Sequence, residues 1–158
     1  MKLEFTQANS NDAKIIGKFV VDLTNEICER TNANHFGIEL ETTIKRCKEL
    51  LSKGHYLAIL GWSNNKPIAV ATFNEIYALY AGGKIGAIQE FYVIPEHRST
   101  GIGKLLVNEV RTYGKNNNWS CIELCTPPLP EFERTLSFYQ TNGLVPVGGR
   151  KMRQNINE

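Results

Sequence analysis

Nowhere in its 158 residues does the chain stay apolar for the ~20 positions a membrane-spanning helix needs, so no span is expected. The opening residues, MKLEFTQANS, lack the apolar core of a secretory signal. The four cysteines, at 28, 47, 121 and 125, form no Cys-x-x-Cys pair and no Cys/His ligand set, so no metal is expected. Buried reduced thiols are the simplest reading, including Cys121 and Cys125, four apart on one face of a β-like segment. Charge of one sign is also lacking. The net charge is +2, and the one basic cluster, Arg150, Lys151 and Arg153, reads as a solvated tail. A nucleic-acid surface is therefore not implied. No linker, repeat or low-complexity tract divides the chain, so one domain over residues 1–158 is expected. These absences leave a cytoplasmic protein with an ordinary core, 42% of its residues hydrophobic and 22% charged.

What is present is a succession of short periodic segments. LEFTQA alternates and reads as a strand. DAKIIGKFVVDLTNEICER places apolar residues at 15, 16, 19, 20, 23 and 27, the spacing of one helix face, with Asp12 as its N-cap. ELETTIKRCKELLSK is a second helix, with Ile44, Cys47, Leu50 and Leu51 inward and Gly54 just past its end. HYLAILGW, PIAVATFNEIYAL and IGAIQEFYVI then read as three strands with short connections, an antiparallel meander. GKLLVNEVRTYGKNN is a helix with Ile102, Leu105, Leu106, Val110 and Tyr113 on its apolar face. WSCIELCT is a strand, EFERTLSFYQTN a short helix closed by Gly143, LVPV a final strand, and RKMRQ a candidate for one more. The order is β-α-α-β-β-β-α-β-α-β. The fold class is mixed α/β, antiparallel at first and with a parallel β-α-β crossover around residue 100.

That crossover holds the most informative stretch, PEHRSTGIGKLL, residues 95–106. A helix N-terminus offers unpaired N–H groups and positive partial charge, and glycine lets a ligand approach the backbone. Gly101 and Gly103 stand where both effects operate. The stretch is not a Walker A loop, because position 98 is Arg and position 105 is Leu. The dinucleotide fingerprint needs a small residue where Leu106 stands.

Arg98-Ser99-Thr100-Gly101-Ile102-Gly103 does match [QR]-x-x-G-x-[GA], and SFYQTNGL at 137–144 matches a late F-Y-x-x-x-G-[FL] segment. In these motifs and in its element order the chain resembles the GNAT superfamily of acetyl-CoA-dependent N-acetyltransferases over nearly its whole length. One position departs from the pattern: the residue after the arginine is commonly glycine, and here it is Ser99. The resemblance implies acetyl-CoA as co-substrate, its pyrophosphate held by Arg98, Ser99, Thr100, Gly101, Ile102, Gly103 and Lys104. The pantetheine arm would lie along the strand ending Phe91-Tyr92-Val93, as an added strand would. A backbone N–H near Val93 would stabilise the oxyanion.

The implied reaction is direct attack by a primary amine, without an acyl-enzyme. The amine must lose a proton, and Glu90 is the candidate general base. Strand parity groups Glu90 with Ile88 and Tyr92. Gln89 stands at another position where family members place this acid. Tyr139, matched to the family's late tyrosine, is the candidate general acid for the departing thiolate. His35 falls where family members line the acceptor site, His97 reads as exposed, and His55 as the start of a strand. Asp22, Glu26, Glu29, Glu39 and Glu41 flank the first interhelical loop. They suit either a cationic acceptor or a solvated face. The expected partner is a small-molecule amine, with no nucleic acid and no membrane, and a strand-edge homodimer is allowed. A protein or peptide acetyltransferase and a non-catalytic acyl-CoA sensor are the alternatives.

Overall fold

A computed structural model describes residues 1–34 and 36–157. The chain forms two compact units, Met1–Leu124 and Cys125–Glu158. The first contains β1 (Leu3–Gln7), α1 (Ala13–Thr31), α2 (Leu40–Ser52), β2 (Leu57–Ser63), β3 (Lys66–Ala78), β4 (Gly83–Val93), α3 (Ile102–Asn116) and β5 (Ile122–Leu124). The second contains α4 (Glu133–Thr141). The five strands form one sheet in the order β1-β2-β3-β4-β5. The first four run antiparallel to their neighbours, and β5 runs parallel to β4. This is the mixed α/β class, meander and crossover expected from the periodicities.

The strands alternate, so the sheet has two apolar faces. Ala58, Leu60, Val70 and Tyr92 pack with Ile16, Phe19, Val20 and Cys47 of α1 and α2. Ile59, Ala69, Ala71, Phe73 and Ile88 pack with Ile102, Leu106 and Val110 of α3. Two details of the helices differ from expectation. Asp12 precedes α1 but makes no side-chain cap bond to it; its carboxylate accepts from the Asn9 N–H at 2.9 Å and closes the preceding turn instead. On α3 the buried face includes Val107 rather than Leu105, which is 43% exposed. The face centres on the 102/106/110 row, and Leu105 falls outside it.

The closing strand expected at LVPV, and the further one at RKMRQ, are not formed: residues 144–157 contain no strand. Pro146 lacks an N–H for a ladder, Gly148 and Gly149 both adopt positive φ (92° and 89°), and Val145 and Val147 stay exposed. The cysteines need a correction too. All are free, but only Cys47 is buried, and Cys125 is exposed. The segment carrying Cys121 and Cys125 forms just three residues of strand between them, so neither is carried into a core. Among the described residues no helix is long and apolar enough to cross a membrane.

Candidate active site

Glu90 lies near the end of β4, and its position depends on a β-bulge. Thr72 of β3 pairs with Glu90, but the next residue, Phe73, pairs with Ile88. Gln89 is the extra residue, and a bulge re-aims the side chains on either side of it. Ile88 packs with Phe73 on the α3 face, while Tyr92 packs on the α1/α2 face. Glu90 points to the α1/α2 side, so its expected grouping with both Ile88 and Tyr92 is half wrong: Ile88 belongs to the opposite face. Gln89 donates to Asn74 Oδ1 at 2.9 Å and is exposed.

The Glu90 carboxylate is held by two hydroxyls. Tyr56 Oη donates toward Oε1 and Oε2 at 2.8 and 2.6 Å, and Thr72 Oγ1 donates to Oε2 at 2.7 Å. Thr72 Oγ1 also accepts from the Glu90 N–H at 3.0 Å. Burial raises the Glu90 pKa above the ordinary carboxylate range. The two hydroxyl donors oppose the shift without cancelling it. Beside Glu90 is a cleft of about 190 Å3 lined by Gly17 and Val20 of α1, Ile38, residues Thr43, Arg46, Cys47 and Leu50 of α2, and Tyr56. Its wall is mostly apolar, and among the described residues Glu90 is its only carboxylate. The Cys47 thiol in that wall is pushed up to about 11 by burial and by Glu90. A raised carboxylate at the base of an apolar cleft has the character of a general base for an amine.

Tyr56 and Thr72 were not legible as site residues. They stand 34 and 18 positions from Glu90, and neither belongs to a motif. Only the pairing of β2, β3 and β4 brings them together.

The crossover loop offers a second set of groups. Pro95–His97 form a single 3-10 turn after β4, and α3 starts at Ile102 with Gly101 as its N-cap. Gly101 has φ 90°, and a Cβ there would meet nothing within 4 Å, so open space lies over the loop backbone. The Leu105 N–H donates to Gly101 O at 3.2 Å, which starts the intrahelical ladder. The N–H groups of Ile102, Gly103 and Lys104 have no intrahelical acceptor and are directed out of the helix end. Such a helix end fits a pyrophosphate. Ser99 has φ 61°, the left-handed region, which explains why glycine suits this position. The Thr100 hydroxyl donates to His97 O at 2.6 Å and braces the turn. His97, expected to be exposed, is half-buried.

Arg98 is engaged elsewhere than over the loop. Its Nε donates to Val93 O at 2.8 Å, its Nη1 donates to Glu26 Oε1 at 2.8 Å, and its guanidinium lies 5.3 Å from the Tyr92 ring centre. This ties the end of β4 to α1. Tyr92 itself packs against Phe19 at 5.7 Å in the core, and by the parity it shares with Ile94 its peptide groups face β3 rather than the free edge of β4.

The edge of β4 is suited to an added strand. β5 pairs with β4 only from Gly86 to Ile88, whereas β4 runs on to Val93. The Ile94 N–H donates to Ile68 O across β3, so by alternation the Val93 peptide groups turn to the other edge. The Arg98 bond to Val93 O fits that direction.

Other candidates are accounted for. Glu26 is paired with Arg98, Asp22 with Lys18, and Glu39 caps α2 by accepting from the Glu41 and Thr42 N–H groups at 2.9 and 3.1 Å. These three acids are engaged by partners within the chain. His55 is exposed just before β2, and His35 lies outside the described residues. Tyr139 sits on α4 in the second unit, buried, with its ring T-shaped to Phe138 at 5.1 Å. Burial raises its phenol pKa well above the ordinary range. No group of three His, Cys, Asp or Glu able to hold a metal occurs among the described residues.

Comparison with known proteins agrees with this fold. An aminoglycoside N(6')-acetyltransferase type 1 from Acinetobacter haemolyticus is 22% identical, over 79% of this chain and 86% of its own. A possible acetyltransferase from Clostridium difficile 630 superposes with a TM-score of 0.79 at 18% identity, covering 100% of both chains. A predicted acetyltransferase from Clostridium acetobutylicum, solved with acetyl-CoA, superposes with a TM-score of 0.76 at 16% identity, covering 98% of this chain and 96% of that one. The acetyltransferase (GNAT) family matches residues 21–143. With more than half its length matched, the chain belongs to the GNAT family and is an N-acetyltransferase.

Proposed function

We propose that the chain transfers an acetyl group from acetyl-CoA to a primary amine of a small molecule, with Glu90 as general base and Tyr139 as general acid. The observation that carries this reading is the Glu90 carboxylate in the apolar cleft between α1, α2 and the sheet. An alkylammonium entering the cleft gives a proton to Glu90, directly or through a water. The freed nitrogen then forms a bond to the thioester carbonyl carbon. As the C–S bond breaks, the Tyr139 hydroxyl protonates the sulfur. The nitrogen sheds its second proton as the amide forms; that proton restores the Tyr139 hydroxyl through solvent, and Glu90 returns its own proton to solvent. A buried phenol with a raised pKa stays neutral through the working range, the state a proton donor needs.

The N–H groups opening α3 and the loop of residues 98–104 would receive the pyrophosphate. The Phe91–Val93 edge of β4 would receive the pantetheine arm, with a Val93-region N–H toward the oxyanion. Residues 1–158 would then act as one acetyltransferase domain, consistent with a family match that crosses both compact units.

The name of the curated relative makes aminoglycosides the first acceptors to test. A cleft of about 190 Å3 is smaller than the ~300–1,000 Å3 that encloses a drug-sized ligand, so it takes one amine-bearing arm rather than a whole oligosaccharide. The test is thiol release from acetyl-CoA over kanamycin, tobramycin, spermidine, free amino acids and lysine peptides. Turnover of a small amine that Glu90→Gln abolishes supports the proposal. Turnover of peptides alone means a protein acetyltransferase. Acetyl-CoA binding with no turnover of any amine means a sensor.

A further inference from the structure

The proton-accepting end of Glu90 is not left to one residue. We propose that Tyr56, with Thr72 as its partner, is a positioning residue for Glu90, fixing the carboxylate in the cleft and favouring its ionised form. This rests on the reading of Glu90 as the base. Nothing in the family motifs of the crossover loop or the late helix involves either residue.

The geometry is specific. Tyr56 Oη reaches both carboxylate oxygens, at 2.8 and 2.6 Å, so it restrains rotation about the last bond of the side chain. Thr72 Oγ1 anchors Oε2 at 2.7 Å and accepts the Glu90 N–H at 3.0 Å. One hydroxyl therefore ties the carboxylate to the backbone that carries it, and the other ties it to the start of β2. Oε2 receives both hydroxyls and Oε1 only Tyr56. A carboxylate has about four acceptor sites, so Oε1 keeps the greater capacity for an incoming proton. Thr72 is fully buried within β3, and Tyr56 lines the cleft, so neither hydroxyl is simply solvated.

The electrostatics follow the geometry. Desolvation alone would favour the protonated acid, which cannot accept a proton. The Tyr56 and Thr72 hydroxyls act in the opposite direction, and among the described residues no cation is a cause of the shift. Among the described residues the other polar groups facing the cleft are Thr43, Arg46 and Cys47 of α2, and α1 presents Gly17 and Val20. The thiol of Cys47 stays protonated near neutrality. The hydroxyl pair is thus what keeps Glu90 available as a base at a pH where an amine substrate is bound.

Two readouts test this on the full-length protein. The first is the pH titration of the Glu90 side-chain carboxyl by 13C NMR in the free protein, assigned with Glu90→Gln. The second is the acid limb of the kcat/KM profile for the amine that the acceptor panel identifies. In Tyr56→Phe the NMR midpoint and the acid limb should both move upward together, by about one pH unit. The KM for acetyl-CoA should stay near the wild-type value. Thr72→Ser should retain the wild-type midpoint, whereas Thr72→Val should raise it, and thermal unfolding of each variant reports whether the fold survives. An unmoved midpoint in Tyr56→Phe overturns the proposal without recourse to any acceptor. A moved midpoint with an unmoved acid limb overturns it as well. A separate outcome, Glu90→Gln keeping the wild-type rate and acid limb, removes Glu90 as base instead.

Discussion

At Gly101 two requirements coincide in one residue. Its φ of 90° is costly for any side chain, and the space a Cβ would occupy is empty. Gly101→Ala therefore meets no protein atom, and its cost in the free protein is backbone strain, about 1–2 kcal/mol. If the empty space is where a pyrophosphate lies, the same change should weaken acetyl-CoA binding by more than the strain alone. Denaturant unfolding and isothermal titration of one variant separate the two effects; a loss of stability with unchanged affinity would place the donor elsewhere. Ser99, at φ 61°, already bears a milder form of this strain, so the glycine usual at that position answers a backbone need.

At the scale of elements, the site depends on how β4 meets its neighbours. Trp119 lies across β4 and α3. Its indole fills the places where Gly86 and Gly114 lack side chains, with ring atoms 2.0 and 2.5 Å from where their Cβ atoms would be. Its Nε1 donates to Glu75 Oε2 at 2.7 Å, and its ring meets Phe73 edge-on at 5.4 Å. A methyl group at Gly86 must displace that ring. Gly86→Ala is expected to destabilise the protein by about 1–3 kcal/mol, the range for overpacking, with a lower urea midpoint as the measure. Since Gly86 also pairs with Ile122, parallel pairing of β5 should loosen first, seen as faster amide exchange at Gly86 and Ile88 than in β2. Sequence periodicity located all of these elements. It did not show the bulge at Gln89, because one extra residue changes no local propensity and becomes visible only against the partner strand. For that reason Glu90 was identifiable as a candidate from its place in the strand, while its face was not.

For the whole molecule, ligand linkage is the decisive observable. A protein that binds acetyl-CoA only when folded gains about 2.7 kcal/mol of stability at one hundred times the dissociation constant. Acetyl-CoA should raise the unfolding temperature by several degrees, desulfo or truncated adenine nucleotides by less, and the absence of any shift would remove the donor assignment. The sequence by itself determined the element order as far as α4, the mixed class, and the glycine-bearing turn that opens α3. Those follow from local periodicity, glycine placement and helix-end chemistry, which act over a few residues. Only the tertiary structure decided that Arg98 braces Val93 and Glu26, that Glu90 turns toward α1 and α2, and that Tyr56 and Thr72 hold its carboxylate. These relations join residues 5 to 72 positions apart, and strand register and packing, rather than any local pattern, bring them within hydrogen-bond reach.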